Sequence, residues 1–383
     1  MLGRSNDAWR HVLATARVLV DLPKITENTR FLVENLRGME VVAVTKGVCG
    51  SPEVARAMLA GGAVALAESR HENAQRLRDG GISAALWLLR TPSPAKAADT
   101  VRLFDLSLAS EVDSCLALDA AAAEQGVSHQ VLVMVELGDL REGILPADLP
   151  AFVDMVERLE HIELAGIGGN LTCYGAVVPD ERNMSLLRDL AAETERRVGR
   201  RLLVSGGNSG SIPMVAAGRM PQGISSLRIG ETILHGVDTL TRWPMAGLHT
   251  DAFTMEAPVI ECKAKPSLPR GRTAQNAWGD TPVFQDRGVR RRAICAIGRQ
   301  DCHVEGLTPL DPRVYVLGAS SDHLLLDVDS MIVPPRPGEA IAFRPDYVAT
   351  LQLFTSPYVN KELRPFASSA YSARDVRARQ DAR

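Results

Sequence analysis

The stretch VVAVTKGVCG, Val41 to Gly50, sets an amine at the end of an apolar run. Such a run reads as a buried strand. A lysine held against an apolar wall loses hydration, so its neutral amine becomes accessible and can attack a carbonyl carbon. Lys46 is therefore a candidate nucleophile, while a lysine that snorkels to solvent from a strand end is the plainer reading. A second stretch, SSLRIGETILHG, embeds Arg228 in an apolar run and follows it with Gly230 and Glu231 at the start of a helical pattern. A glycine there lets backbone N–H groups approach a phosphate, whose charge the helix dipole favours. The loop before it, SGGNSGS, offers Asn208, Ser209 and Ser211 as donors, and reads equally well as a flexible turn.

Short apolar runs alternate with helical stretches from Val41 to about Ile229. The strand candidates are Val41–Thr45, Ala63–Ala67, Ala85–Leu88, Phe104–Leu108, Val131–Val135, Leu164–Gly168, Leu202–Ser205 and Leu227–Ile229. Helix candidates between them include Pro52–Leu59, Glu111–Glu124, Asp148–Leu159 and Asp180–Val198, with Ser51 and Ser110 as N-caps. This alternation predicts an α/β fold, a parallel (β/α)8 TIM barrel, with an open doubly wound sheet as the rival. In a barrel, Lys46 at the end of the first strand and the donors around Asn208 and Gly230 share one mouth. An amine facing a phosphate cradle is the arrangement that pyridoxal phosphate requires.

After RWPMAGLHTDAF the pattern changes. Strand-like runs follow at Phe253–Lys263, Arg292–Ile297, Val314–Leu317, Leu324–Val328 and Ala340–Phe343, without long helices. The division expected is a barrel over 17–245, a C-terminal all-β domain over 246–365 and a polar tail over 366–383. The strand at 18–22 precedes the barrel and is expected to join the β domain.

Hydrophobic residues make up 45% and charged residues 23% of the 383, which excludes a disordered or fibrous chain. The net charge of -3 gives no electrostatic footprint for nucleic acid. No run is long enough for a membrane span, and none is expected. The six cysteines lack a CxxC spacing, so neither a zinc site nor a disulfide framework is expected; scattered thiols fit a reducing cytoplasm.

The segments AVTKGVCG, ALAESRHEN, MVELGDLREGI, GIGGNLTCYG, SGGNSGS, LRIGETILHG and AIGRQDCHVEGLTPLD occur in this order. Together they resemble the alanine racemase-like pyridoxal phosphate enzymes, and within them the ornithine racemase branch. The resemblance implies that Lys46 carries the cofactor covalently and serves as one racemisation base. It implies that Arg228 faces the ring nitrogen, that Ser209, Gly230 and Glu231 hold the phosphate, and that Arg141 lies near the substrate carboxylate. An arginine cannot take the ring proton, which favours simple proton transfer at Cα over decarboxylation. The resemblance also implies a homodimer whose site is shared between subunits through the segment Arg299–Cys302. The partner expected is a small-molecule amino acid, and no metal is expected.

The chain departs from the family pattern in places. Ala277 and Trp278 stand where the alanine enzymes have their tyrosine base, Asn170 where they have a histidine, and Gly50 where they have a second tyrosine. Tyr174, Asp301, Cys302 and His323 are the candidates for the second base. Asp139, Asp301 and Asp322 are candidate partners for a basic substrate side chain. The expected activity is racemisation of ornithine or lysine. Alanine or serine racemisation, and a non-catalytic pyridoxal phosphate homeostasis protein, are the alternatives.

Overall fold

The computed structural model describes residues 13–36 and 38–364; the expected tail at 366–383 lies outside them. The chain opens with β1 (Arg17–Asp21) and α1 (Leu22–Asn35). The parallel strands β2 (Glu40–Val44), β3 (Ala65–Glu68), β4 (Leu86–Leu88), β5 (Leu106–Ala109), β6 (His129–Met134), β7 (Ile162–Gly168), β8 (Leu203–Asn208) and β9 (Ser226–Ile229) then close into a barrel. Closure decides against the open sheet: β9 pairs back to β2, with Val42 opposite Arg228.

The barrel strands read as near-continuous apolar runs because both of their faces are covered. Alternation still sorts the side chains. Val42, Val44, Ala65, Ala67, Trp87, Leu106, Leu108, Leu132 and Met134 fill the interior. Val131 and Val133, one step out of phase on β6, instead join Leu118, Val153 and Leu187 beneath the helices.

Those helices are α2 (Pro52–Ala60), α3 (His71–Asp79), α4 (Ala97–Leu103), α5 (Val112–Gln125), α6 (Leu149–Val156), α7 (Glu181–Val198), α8 (Ile212–Ala216) and α9 (Glu231–His235). Ser51 caps α2, its side chain accepting from the Val54 amide at 3.4 Å, and Asp180 and Asn183 form a reciprocal capping box on α7. Ser110 does not cap α5. Glu111 occupies the cap position without a side-chain bond, while the Ser110 hydroxyl pairs with Thr91 at 2.8 Å.

Chain contacts group Leu22–Thr250 into one unit and Asp251–Arg364 with β1 into another. The second unit holds β10 (Phe253–Pro266), β11 (Val289–Cys295), β12 (Leu307–Pro309), β13 (Tyr315–Ala319), β14 (Leu324–Asp327), β15 (Ala340–Pro345) and β16 (Asn360–Arg364). The sheet order is β12-β15-β10-β11-β14-β13, with β1 on β10 and β16 on β1. All of these pairings are antiparallel except that of β1 with β16. The unit is not wholly β: α10 (Tyr347–Thr355) interrupts it, capped by Asp346, whose carboxylate accepts from the Ala349 amide at 2.8 Å.

Candidate active site

Lys46 continues the phase of Val42 and Val44, both interior, and stands half-buried at the first residue of a 3-10 turn, Lys46–Val48. The turn is sharp because the Thr45 carbonyl accepts from both Val48 N (3.0 Å) and Gly50 N (3.2 Å). Cys49 takes a left-handed conformation, φ 50°, to allow it. Below the turn the Thr45 hydroxyl donates to Glu68 at 3.0 Å. Glu68 ends β3 fully buried; its other oxygen accepts from the Ser69 amide at 2.8 Å and from Asn73 at 3.1 Å. Burial pushes its carboxyl above the usual range, and these donors work against that shift. Glu68 was not singled out from the sequence, although ALAESRHEN contains it. A buried strand ending in an acid was the available signal.

Arg228 faces the barrel interior, opposite Val42, and is 3% exposed. Its guanidinium donates to the Gly169 carbonyl at 2.7 Å and to the Ser205 hydroxyl, both neutral oxygens. Burial lowers its pKa to about 10, so it remains a cation at neutral pH. Asn208 lies opposite Arg228 on β8. Its amide donates to Asn170 Oδ1 (3.1 Å), to the Leu171 carbonyl (2.8 Å) and to Cys173 Sγ (3.3 Å), tying the loop after β7 to the end of β8. Ser209 is buried, with its hydroxyl 3.5 Å from the Thr232 amide. Gly230 precedes α9, and a Cβ there would lie 3.0 Å from Val44 Cβ, a tight contact, so the close approach of β9 to β2 favours glycine. The Glu231 side chain pairs with Arg242.

Arg141 lies in the loop after β6, paired through two guanidinium nitrogens with its neighbour Glu142. That pairing holds its pKa above the ordinary arginine value. Tyr174 is 73% exposed on the loop after β7. Its backbone is clamped by Asp139, whose two oxygens accept from the Tyr174 and Gly175 amides at 3.1 Å each.

The remaining candidates belong to the sheet unit. Asp301 is buried and accepts from the Ser356 hydroxyl at 2.7 Å. Burial pushes the Cys302 thiol up to about 12, which leaves it protonated at neutral pH. His323 bonds Asp322 at 2.7 Å, and Trp278 lies under the Arg299 guanidinium at 5.8 Å. The barrel thus brings Lys46, Arg141, Asn170, Tyr174, Asn208, Ser209, Arg228, Gly230 and Glu231 to the C-terminal ends of its strands. No cluster of three metal-ligating side chains occurs among the described residues. No helix among them is long and apolar enough to cross a membrane.

A closed parallel barrel with an amine just past the end of one strand and a buried guanidinium on the strand paired with it, in a chain that also builds a largely antiparallel sheet, defines a recognisable class of barrel proteins. The chain belongs to the alanine racemase family: the model of the alanine racemase N-terminal domain matches residues 20–236. It is 40% identical over 352 residues to the ornithine racemase of Acetoanaerobium sticklandii, covering 91% of this chain and 99% of that protein. It is 37% identical to the lysine racemase of Thermotoga maritima, covering 91% and 98%. Among solved structures, alanine racemase from Bartonella henselae with covalently bound pyridoxal phosphate superposes with a TM-score of 0.68. The identity there is 16%, over 92% of this chain and all of the other.

Proposed function

We propose that this chain is a pyridoxal phosphate-dependent amino-acid racemase acting on a basic amino acid, ornithine or lysine. The adjacency of β2 and β9 carries the reading: Arg228 faces the barrel interior opposite Val42, and Lys46 follows in the turn just beyond the end of β2. The substrate class is supported by the two relatives of nearly full coverage.

The donor set fits the cofactor. A half-buried amine, a buried hydroxyl at Ser209, backbone N–H groups at Gly230 and Glu231, and a guanidinium bonded only to neutral oxygens match its aldehyde, phosphate and ring nitrogen. When bound, the cofactor would supply the electron sink for the substrate Cα. Lys46 would hold it, and the Lys46 amine would take or return the Cα proton on one face. Arg228 stays cationic and cannot accept the ring proton, so the electron demand stays modest and proton return is favoured. Arg141 binds the substrate carboxylate through its planar guanidinium. Asn208 and Asn170 fix the loop that carries Cys173 and Tyr174.

Tyr174, Asp301, Cys302 and His323 remain the candidates for the second base. The Cys302 thiol, held near 12, is the weakest of the group. The working form is a cytoplasmic homodimer with the site completed by the partner subunit, which sedimentation tests directly.

The decisive experiment loads the protein with pyridoxal phosphate, reduces it with borohydride and maps the modified peptide, while chiral chromatography follows L- and D-ornithine, lysine, alanine and serine. The expected result is a reduced adduct on Lys46 and interconversion fastest for a diamino acid. An adduct elsewhere, or no interconversion of any amino acid, overturns the reading.

A further inference from the structure

A basic substrate carries a second ammonium, and a carboxylate should meet it. The acids around the barrel mouth can be sorted by what they already hold. Glu68 is bonded to Thr45, Ser69 and Asn73. Glu136 accepts from the backbone amides of Gly138 and Leu140. Asp139 spends both oxygens on the Tyr174 and Gly175 amides. Each of these fixes backbone, and removing it would loosen a loop. Glu231 and Glu142 are different, each pairing with an arginine side chain, but the partner of Glu231 is Arg242, which has no part in the site as read above. The partner of Glu142 is the side chain of Arg141, the group read above as the carboxylate binder.

The loop that carries this pair is built to hold it in place. Ile144 bridges back to Val135 in parallel, its amide donating to the Met134 carbonyl at 2.7 Å, while Glu136 N donates to the Ile144 carbonyl at 2.9 Å. Met134 is an interior residue of the barrel, so the hook ends over the mouth. Gly143 lies at φ 143°, and a Cβ there would sit 2.5 Å from the Glu136 amide nitrogen. Only glycine permits the close fold that presents Arg141 and Glu142 together. Their side chains are 36% and 20% exposed, half out of water. Both lie within electrostatic reach of Arg228.

Resting on the racemase reading, we infer that Glu142 is the residue that selects for a basic side chain, through exchange of the Arg141–Glu142 ion pair. The substrate carboxylate takes Arg141, and the distal ammonium takes Glu142. Charge is conserved on both sides of the exchange. An amino acid with an apolar side chain must also part the pair to reach Arg141, but it leaves Glu142 half-desolvated and without a counterion. Removing one partner of a desolvated pair is costly, and specificity here is that penalty.

The test compares ornithine with norvaline, its analogue lacking the terminal amine, in cofactor-loaded wild-type protein and in Glu142→Gln and Glu142→Asp. Wild type should favour ornithine in kcat/KM. In Glu142→Gln the ornithine-to-norvaline ratio should fall about tenfold or more, mainly through KM for ornithine, while norvaline holds or improves. That fall corresponds to about 1.4 kcal/mol of lost discrimination. Glu142→Asp should retain part of it. Retained visible absorbance of the bound cofactor reports that each variant is folded. Two results overturn the inference: a wild-type ratio near one, which needs no variant to read, or an unchanged ratio in an active Glu142→Gln protein. If wild type racemises no amino acid, the racemase reading itself falls and this inference with it, a failure distinct from racemisation without selectivity.

Discussion

At the scale of single residues, the site is set by charges placed where water is scarce. Arg228 stays charged inside a barrel because its hydrogens reach Gly169 and Ser205. His129 shows the other outcome. It is buried at the start of β6, its Nε2 2.8 Å from the Ser107 hydroxyl, and burial pushes its pKa down to about 4, with Asp105 opposing weakly. Unfolded, it titrates near ~6.5. Between those values the unfolded chain binds a proton that the folded chain refuses, so stability is full above about 6.5 and is lost as pH falls through the window. Each unit of the window is worth about 1.4 kcal/mol. In His129→Gln, the loss of urea stability between pH 7 and pH 5 should shrink by about that amount or more; an equal loss in both proteins would refute the assignment. Lys46, Arg228 and Ser209 were legible from the sequence because each stood out against an apolar or glycine-rich neighbourhood. Glu142 was not. Its neighbours in LGDLREG are a run of mixed charges, and nothing in sequence separates an acid that holds backbone, as Asp139 does, from one that holds a side chain.

At the scale of elements, the barrel strands were readable because burial on both faces writes continuous apolar runs. All eight expected strands fall on β2 to β9, shifted by up to three residues at their ends. The helix α10 was hidden for a related reason. Its sequence YVATLQLFT is apolar almost throughout, with buried Ala349, Leu353 and Phe354, and such a short run is ambiguous between helix and strand. Ser110 misled as a cap because a nearby hydroxyl, Thr91, competed for it. The hook after β6 left only a glycine as its signal. Gly143→Ala would place a methyl against backbone that cannot give way, at a φ that L-residues avoid. The expected cost is about 1–3 kcal/mol of stability, with KM for substrate raised more than the apparent affinity for the cofactor. Denaturant titration and steady-state kinetics check the two arms. An alanine variant with wild-type KM would show that the hook does not position Arg141.

At the scale of the whole molecule, the sheet unit is assembled from both ends of the described chain. β1 pairs antiparallel with Phe253–Glu256 of β10 and parallel with all of β16. Arg17 on β1 also bonds Glu256 and Glu362, one on each partner strand. A truncation through Asp21 should therefore cost amide protection in Phe253–Glu256 and Asn360–Arg364, while β2 to β9 keep theirs. Hydrogen exchange read by mass spectrometry distinguishes this from uniform loss, which would mean that the barrel depends on β1 as well. From the sequence, a strand before the barrel was expected to join the β domain, but which strands it pairs with was not legible, because register between distant segments leaves no local trace.

This arrangement has a consequence on the ribosome. β1, with the apolar residues Val18, Leu19 and Val20, leaves the exit tunnel about 230 residues ahead of β10. At ordinary translation speeds that is a wait of roughly 10–50 s, with an unpaired, sticky edge in the open. A nascent chain of this protein should therefore lean on holdase chaperones during that interval, and slowing elongation across the barrel codons should lengthen the exposure and lower the soluble yield.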